Sequence, residues 1–272
     1  MPLDMTGRVE SLHVYPVKGM RGRSLMSTEV ARHGIVHDRR WMVTDPEGAF
    51  LTQRQVAQFA QFDALADEAG LTMSHGGQSC LAAVPPEGAE RLAVTIWGET
   101  MSAVRADPAS EAWLSDVLGK TCRLAYMDDP DMRPVNQDFA EPGDYVGFAD
   151  GYPLLAVNDA SLAALNAELD HPVGMDRFRP NVTISGLPAW SENGWQLLRI
   201  GTMMFRAPKP STRCVVITRD QLTGETPQPG EPLRTLARLN RTEDGIVFGS
   251  NLIPLAPGTL SVGDTVAVLQ EA

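Results

Sequence analysis

Cys214 stands in the stretch Pro210-Ser211-Thr212-Arg213-Cys214-Val215-Val216-Ile217-Thr218. A polar loop precedes it and a β-branched run follows, so the pattern predicts a cysteine at a loop-to-strand junction. Arginine and free loop amides are the neighbours beside which cysteines ionise, and a thiolate is a soft metal ligand or a nucleophile. A lone cysteine is nonetheless more often an inert, small core residue. Cys80, ahead of an apolar Leu-Ala-Ala-Val run, and Cys122, between Thr121 and Arg123, read as structural.

Two other stretches concentrate cations. In Arg177-Phe178-Arg179-Pro180-Asn181-Val182, Arg179 and Asn181 are two residues apart, so an extended chain places them on one face. An arginine and an amide together can read a small anionic or heterocyclic ligand; an edge-strand salt bridge uses the same residues. Earlier, Lys18 follows Tyr15-Pro16-Val17, Arg39 sits in His37-Asp38-Arg39-Arg40-Trp41, and Arg54 in Leu51-Thr52-Gln53-Arg54-Gln55. Paired in one sheet, these elements would bring Lys18, Arg39 and Arg54 together as a phosphate site of planar and point-charge donors. Left apart, they are surface cations facing surface acids.

Other chemistries lack their signatures. His13, His33, His37, His75 and His171 show no HxH or HExxH spacing, and the chain carries no GxGxxG, GxxxxGK[ST] or GxSxG. Asp128, Asp129 and Asp131 lack the glycine and glutamate of a calcium loop and read as a solvated linker. Three dispersed cysteines without CxxC spacing argue against a disulfide framework or a zinc cluster and fit a reducing cytoplasm. The first residues lack the layout of a secretory signal, and no apolar run reaches the ~20 residues of a bilayer span. With 34 acids against 23 Lys and Arg, the net charge of −11 speaks against nucleic acid and anionic membranes. A local cationic pocket remains compatible with it.

The positioning elements are mainly short strands. Val9–Val14 ends at Pro16, Gly34–Thr44 reads as one strand, and Asp45-Pro46-Glu47-Gly48 as a turn returning through Phe50–Gln53. Leu92–Trp97 and Thr100–Val104 flank Gly98-Glu99 as a hairpin. Further strands are expected at Val182–Ile184, Leu197–Ile200, Thr202–Arg206, Val215–Thr218 and Thr265–Leu269. Helices are expected at Ser110–Leu118 with Gly119 as C-cap, at Asn158–Leu169 with Asn158 or Asp159 as N-cap, and at Leu233–Leu239 after Pro232. The polar segment Met127–Pro134 reads as a linker. At 272 residues and 43% hydrophobic, the chain holds two globular domains or one large one.

In this order, YPVKG, HDRRWMV, LTQRQ, NDASLAALN, RFRPN, STRC and the closing FGSNLIPLAPGTLSVGDTVAVL resemble the MOSC-domain family, in the branch of bacterial YcbX-type proteins and the mitochondrial amidoxime-reducing component. The resemblance implies a predominantly β, α+β fold: an N-terminal β-barrel-like domain over residues 1–125 and a MOSC β-barrel domain with a few helices over 126–272. It implies a molybdenum cofactor (Mo-molybdopterin) with Cys214 as metal-binding and catalytic residue. The cofactor contacts it implies are Lys18, Gly19, Arg39, Arg54, Asn158, Arg179, Asn181, Ser211, Thr212, Arg213 and Asn251. Gly19 stands where the family often has serine, so only its backbone could serve there. The implied reaction is reduction of small N-hydroxylated substrates such as amidoximes, hydroxamic acids and N-hydroxylated bases. Three isolated cysteines cannot supply an iron–sulfur cluster, so the implied partner is a separate electron-transfer protein of ferredoxin, flavodoxin or cytochrome type. A cofactor carrier or sulfur-transfer domain using Cys214 as a persulfide, or a non-enzymatic binding module, are the alternatives.

Overall fold

The computed structural model describes residues 5–129 and 133–271. Strand Thr6–Val14 alternates buried and exposed positions for most of its length, the period-2 signature of a strand with one apolar face. It pairs antiparallel with Val182–Ser185 on one side and with Thr265–Glu271 on the other. The path continues through Trp195–Ile200, Met203–Arg206 and Gly245–Pro254 to Leu154–Asn158, which pairs in parallel with Val182–Ser185. Because Gly245–Pro254 also pairs with Leu154–Asn158, seven strands close into a barrel with no free edge. Gly249 lies at the closure with φ +81, and a Cβ there would come within 2.6 Å of the Ala156 carbonyl oxygen. Leu12, Leu198, Phe205 and Leu252 fill the interior.

The remaining strands form smaller sheets. One orders Trp41–Thr44, Arg123–Tyr126, Glu99–Arg105 and Arg91–Ile96; another orders Asp63–Ala66, Gly70–His75 and Gln78–Ala83. Between them pack Trp41, Phe59, Phe62, Leu71, Leu114 and Leu124 as a second core. Val9, Leu12, Val14, Val30 and Ile35 belong instead to the barrel core. Val17 and Met20, which lie between them in the chain, pack into the second core.

Among the described residues there are three α-helices, Pro108–Leu118, Asp159–Asn166 and Leu233–Leu239. Asp107 caps the first by accepting from the Ser110 amide, and Gly119 ends it at φ 64. Asn158 caps the second, which stops three residues short of the expected Leu169 because the Asn166 side chain bonds both backbone groups of Val173.

Several other expectations change. Gly34–Thr44 is not one strand: His37 and Arg39 take left-handed φ values of 66° and 46°, splitting it into Gly34–Ile35 and Trp41–Thr44. The hairpin loop is Trp97-Gly98 rather than Gly98-Glu99, and Trp97 itself adopts φ 52. Val215–Thr218 is a 3-10 turn despite its β-branched residues, because the Ile217 amide bonds the Cys214 carbonyl and Ile217 packs with Phe178, Leu236 and Phe248. Met127–Pro134 is not a free linker at its flanks. Met127 is buried, Asp128 pairs with Arg91, and Arg133 is buried; residues 130–132, with Asp131, lie outside the described residues. Among the described residues no helix is long and apolar enough to cross a membrane.

Candidate functional site

A cavity of about 580 Å³ opens between the barrel and the N-terminal sheets. Lys18, Gly19, Arg39, Arg54, Arg179, Ser211, Thr212, Arg213, Cys214 and Asn251 all line it. Segments far apart in sequence meet there.

Cys214 follows strand Pro210–Thr212 in extended backbone. Asn251 holds that strand, its side chain donating to the carbonyls of Lys209 and Pro210. The Arg213 amide donates to the Ile246 carbonyl, and its guanidinium reaches Ser211 Oγ at 3.2 Å and the Phe178 carbonyl at 2.7 Å. The sulfur is half-buried and accepts from Arg54 Nη2 at 3.0 Å. Arg54 lies under the indole of Trp97, 4.6 Å from a ring centroid. Trp97 is 50% exposed at the hairpin tip, packs edge-on against Phe50, and donates through Nε1 to Asp150 Oδ1 at 3.2 Å.

Lys18 is held just past the first strand by its amide bond to the Trp41 carbonyl. Its buried Nζ donates to the Phe148 carbonyl at 2.8 Å and to Asp150 Oδ1 at 2.6 Å. Burial alone would push the Asp150 carboxyl up. The Lys18 ammonium and the Trp97 indole outweigh that and hold it well below the usual carboxylate range. Its side chain remains largely open to the cavity. Arg39 donates to Asp38 Oδ2 at 2.5 Å and to Asn181 Oδ1 at 3.0 Å. Arg179, at φ 55, reaches the Met20 carbonyl at 2.6 Å and Gln221 Oε1 at 3.1 Å.

Two of the residues expected at the cofactor do not line the cavity. Asn158 is fully buried; it caps its helix and donates to the Leu187 and Pro188 carbonyls. Asn181 does not share an extended face with Arg179, whose left-handed backbone turns the chain. Its amide ties the His13 carbonyl, Asp38 and the Leu155 amide together and braces Arg39 from behind. Neither lines the cavity: Asn181 ties barrel strands together, and Asn158 caps its helix and holds the segment at Leu187 and Pro188.

Sequence reasoning missed Trp97, Arg133, Asp150 and Lys209. Arg133 and Asp150 lie in irregular, glycine-bearing chain without periodicity, and Trp97 was absorbed into a strand. An unpaired acid in Phe148-Ala149-Asp150-Gly151 carries no local signal of the lysine that meets it 132 residues away.

The electrostatics decide what the cavity can hold. Its lining carries seven Lys and Arg (Lys18, Arg39, Arg54, Arg133, Arg179, Lys209, Arg213) against two acids (Glu99, Asp150), on a chain of net charge −11. Burial lowers the affinity of Lys18, Arg133 and Arg213 for their protons, and pulls the Arg179 guanidinium down to about 10. Desolvated cations in excess of their counter-charges are stabilised by an anion. No group of three or more His, Cys, Asp or Glu among the described residues is placed to hold a metal ion by itself.

A closed barrel with a cysteine on the wall of a cavity lined by seven cations and two acids defines the class: a β-barrel protein with a cationic site beside a protein sulfur. Comparison with known proteins is specific. Residues 6–121 match the MOSC N-terminal beta barrel domain and residues 144–267 the MOSC domain. The chain is 30% identical over 286 residues to mitochondrial amidoxime-reducing component 1 of Homo sapiens, covering 98% of this chain and 84% of that protein. It is 27% identical over 264 residues to molybdenum cofactor sulfurase of Oryza sativa subsp. japonica, covering 89% of this chain and 32% of that protein. The YUAD protein of Bacillus subtilis overlaps it with a TM-score of 0.45 at 10% identity over 98% of this chain and 97% of that one, too distant to add to the assignment. The chain belongs to the MOSC-domain family with an N-terminal MOSC barrel, alongside the mitochondrial amidoxime-reducing components.

Proposed function

We propose that this protein is a molybdenum-cofactor-dependent reductase of small N-hydroxylated compounds that receives electrons from a separate protein. The observation that carries the reading is the surplus of desolvated cations around a half-buried cysteine sulfur. Those residues fit the group: a pterin phosphate needs cationic and amide donors, and molybdenum suits a soft sulfur ligand. Cys214 would be the protein ligand to the metal. Lys18, Gly19, Arg39, Arg54, Arg179, Ser211, Thr212, Arg213 and Asn251 would hold the cofactor, whereas Asn158 and Asn181 brace the barrel around it.

When bound, the cofactor supplies the two-electron chemistry that takes oxygen from nitrogen, with overall conversion of R–N–OH, two electrons and two protons to R–N–H and water. The chain does the rest. Arg54 donates to the sulfur, so its guanidinium would balance the negative charge of the sulfur when it holds the metal. Trp97 covers Arg54 at the cavity wall. Asp150, ionised beside Lys18, accepts hydrogen bonds at the wall and orients an incoming N–H or O–H group.

The test is the molybdenum and pterin content of protein made in a cofactor-competent host, with amidoxime turnover driven by a chemical reductant. The expected result is about one molybdenum per chain, with metal and turnover lost together in Cys214→Ala. A persulfide on Cys214 without tightly held metal would replace this reading with sulfur transfer. Absence of both metal and pterin would leave a binding module. With NADH and substrate alone the purified protein should stay idle, and turnover there would remove the separate electron donor.

A further inference from the structure

Tyr15 sits behind the cationic wall without lining the cavity. Its ring is 3% exposed, and two cavity-lining guanidiniums lie over it: Arg39 at 4.2 Å and Arg179 at 4.4 Å from the ring centroid. Two like charges sharing one aromatic ring is a costly arrangement unless something fixes and rewards it. The fixing is visible on every side. The Tyr15 hydroxyl donates to the Pro180 carbonyl at 3.0 Å, and the Tyr15 amide donates to Asp38 Oδ1 at 2.8 Å. The Arg39 amide donates to the Tyr15 carbonyl at 2.7 Å. Gly22 packs so closely that a Cβ there would lie 2.3 Å from Tyr15 Cε1, so the ring cannot shift without a residue change being felt.

We propose that Tyr15 is a positioning residue whose ring holds Arg39 and Arg179 as a pair, so that together they grip a single phosphate group in the cavity. Asp38 compensates one positive charge through Arg39; Arg179 has only neutral acceptors, the Met20 carbonyl and Gln221. The pair is thus one negative charge short, and the anionic oxygens of a phosphate group supply it. Burial, with the Arg39 charge adding to it, lowers the Arg179 guanidinium to about 10, as expected for a cation waiting for its counter-ion. Because the ring sets the spacing before the ligand arrives, the ordering cost on binding is small. This deepens the phosphate-bearing cofactor reading above, and its test is independent of metal.

The experiment measures inorganic phosphate binding to cofactor-free protein by calorimetry, with Tyr15→Phe and Tyr15→Leu beside the wild type. Tyr15→Phe keeps the ring and loses the bond to Pro180; Tyr15→Leu keeps apolar volume and loses the π face. The expected result is a Kd within about twofold of wild type for Phe, and about tenfold weaker for Leu, the loss expected when two desolvated cation–π contacts go. Equal affinity in Tyr15→Leu, or equal weakening in both variants, overturns the proposal, as does wild-type protein that binds no phosphate. Should Tyr15→Leu not melt cooperatively, Gly22→Ala displaces the ring with every polar group retained. It should weaken phosphate similarly, and unchanged affinity overturns the proposal. Phosphate binding that depends on Tyr15 in a protein that never acquires pterin would sink the cofactor reading and leave this one standing.

Discussion

Glu192 offers a measurement of barrel stability that is independent of any ligand. It is wholly buried in the short 3-10 turn Ser191–Asn193, where Ser161 Oγ donates to Oε2 at 2.8 Å and Oε1 has no partner. Burial raises the carboxyl from 4.5 to about 7, with the Ser161 hydroxyl opposing only part of the rise. The folded state therefore holds this proton more tightly than the unfolded chain. Below about pH 4.5 both states are protonated and the carboxyl costs nothing. Between 4.5 and about 7 the unfolded chain has ionised and the folded one has not, so stability falls as pH rises. Above about 7 the full penalty stands. At 1.36 kcal/mol for each tenfold step in proton affinity, that interval is about 3 kcal/mol. Glu192→Gln keeps the acceptor for Ser161 and removes the charge. With an unfolding entropy of about 2.1 cal/mol/K per residue, the variant should gain about 5 °C on the wild type between pH 5 and pH 8. Thermal melts followed by circular dichroism across that range provide the assay. Parallel Tm-against-pH curves for the two proteins would refute the reasoning, whatever their absolute offset.

Three further outcomes follow from the geometry. Arg179→Ala removes one half of the paired guanidiniums and should lower pterin occupancy of purified protein at least several-fold; unchanged occupancy, read by pterin fluorescence, would remove Arg179 from the site. Asn158→Ala deletes a helix cap and the bonds to Leu187 and Pro188, so it should cost about 1–2 kcal/mol by urea midpoint while leaving cofactor content per folded chain unchanged. Gly249→Ala forces a side chain into left-handed backbone and against the Ala156 carbonyl at the barrel closure, and should cost upwards of about 2 kcal/mol, read as a fall in Tm.

Much of the chemistry was legible in the chain. Lys18, Arg39, Arg54, Arg179 and Cys214 were singled out by type and neighbours, and the structure brings all five to one cavity. Local signals also carried the helix ends, since Asn158 and Gly119 act through backbone groups within a few residues. Readings that assumed continuous local conformation failed. Val215–Thr218 has strand propensity, yet the hydrophobic cluster around Phe178 and Phe248 draws Ile217 inward and winds the chain into a turn. Arg179 and Asn181 shared a face only on the premise of extended backbone, and φ 55 at Arg179 removes it.

The sequence by itself determined which groups are available: cations, amides and one suitably flanked sulfur, in an order the family shares. Their roles were decided by the tertiary structure. Barrel closure through pairing of Leu154–Asn158 with Gly245–Pro254 brings Arg179 to the same wall as Cys214 and Asn251, while it consumes Asn158 and Asn181 as internal ties. Asp150 acquires its meaning from Lys18, and Trp97 from Arg54, across separations of 132 and 43 residues. The physical reason is that charge, desolvation and ring contacts act through a few ångströms of space, and only long-range strand pairing determines which distant residues share that space.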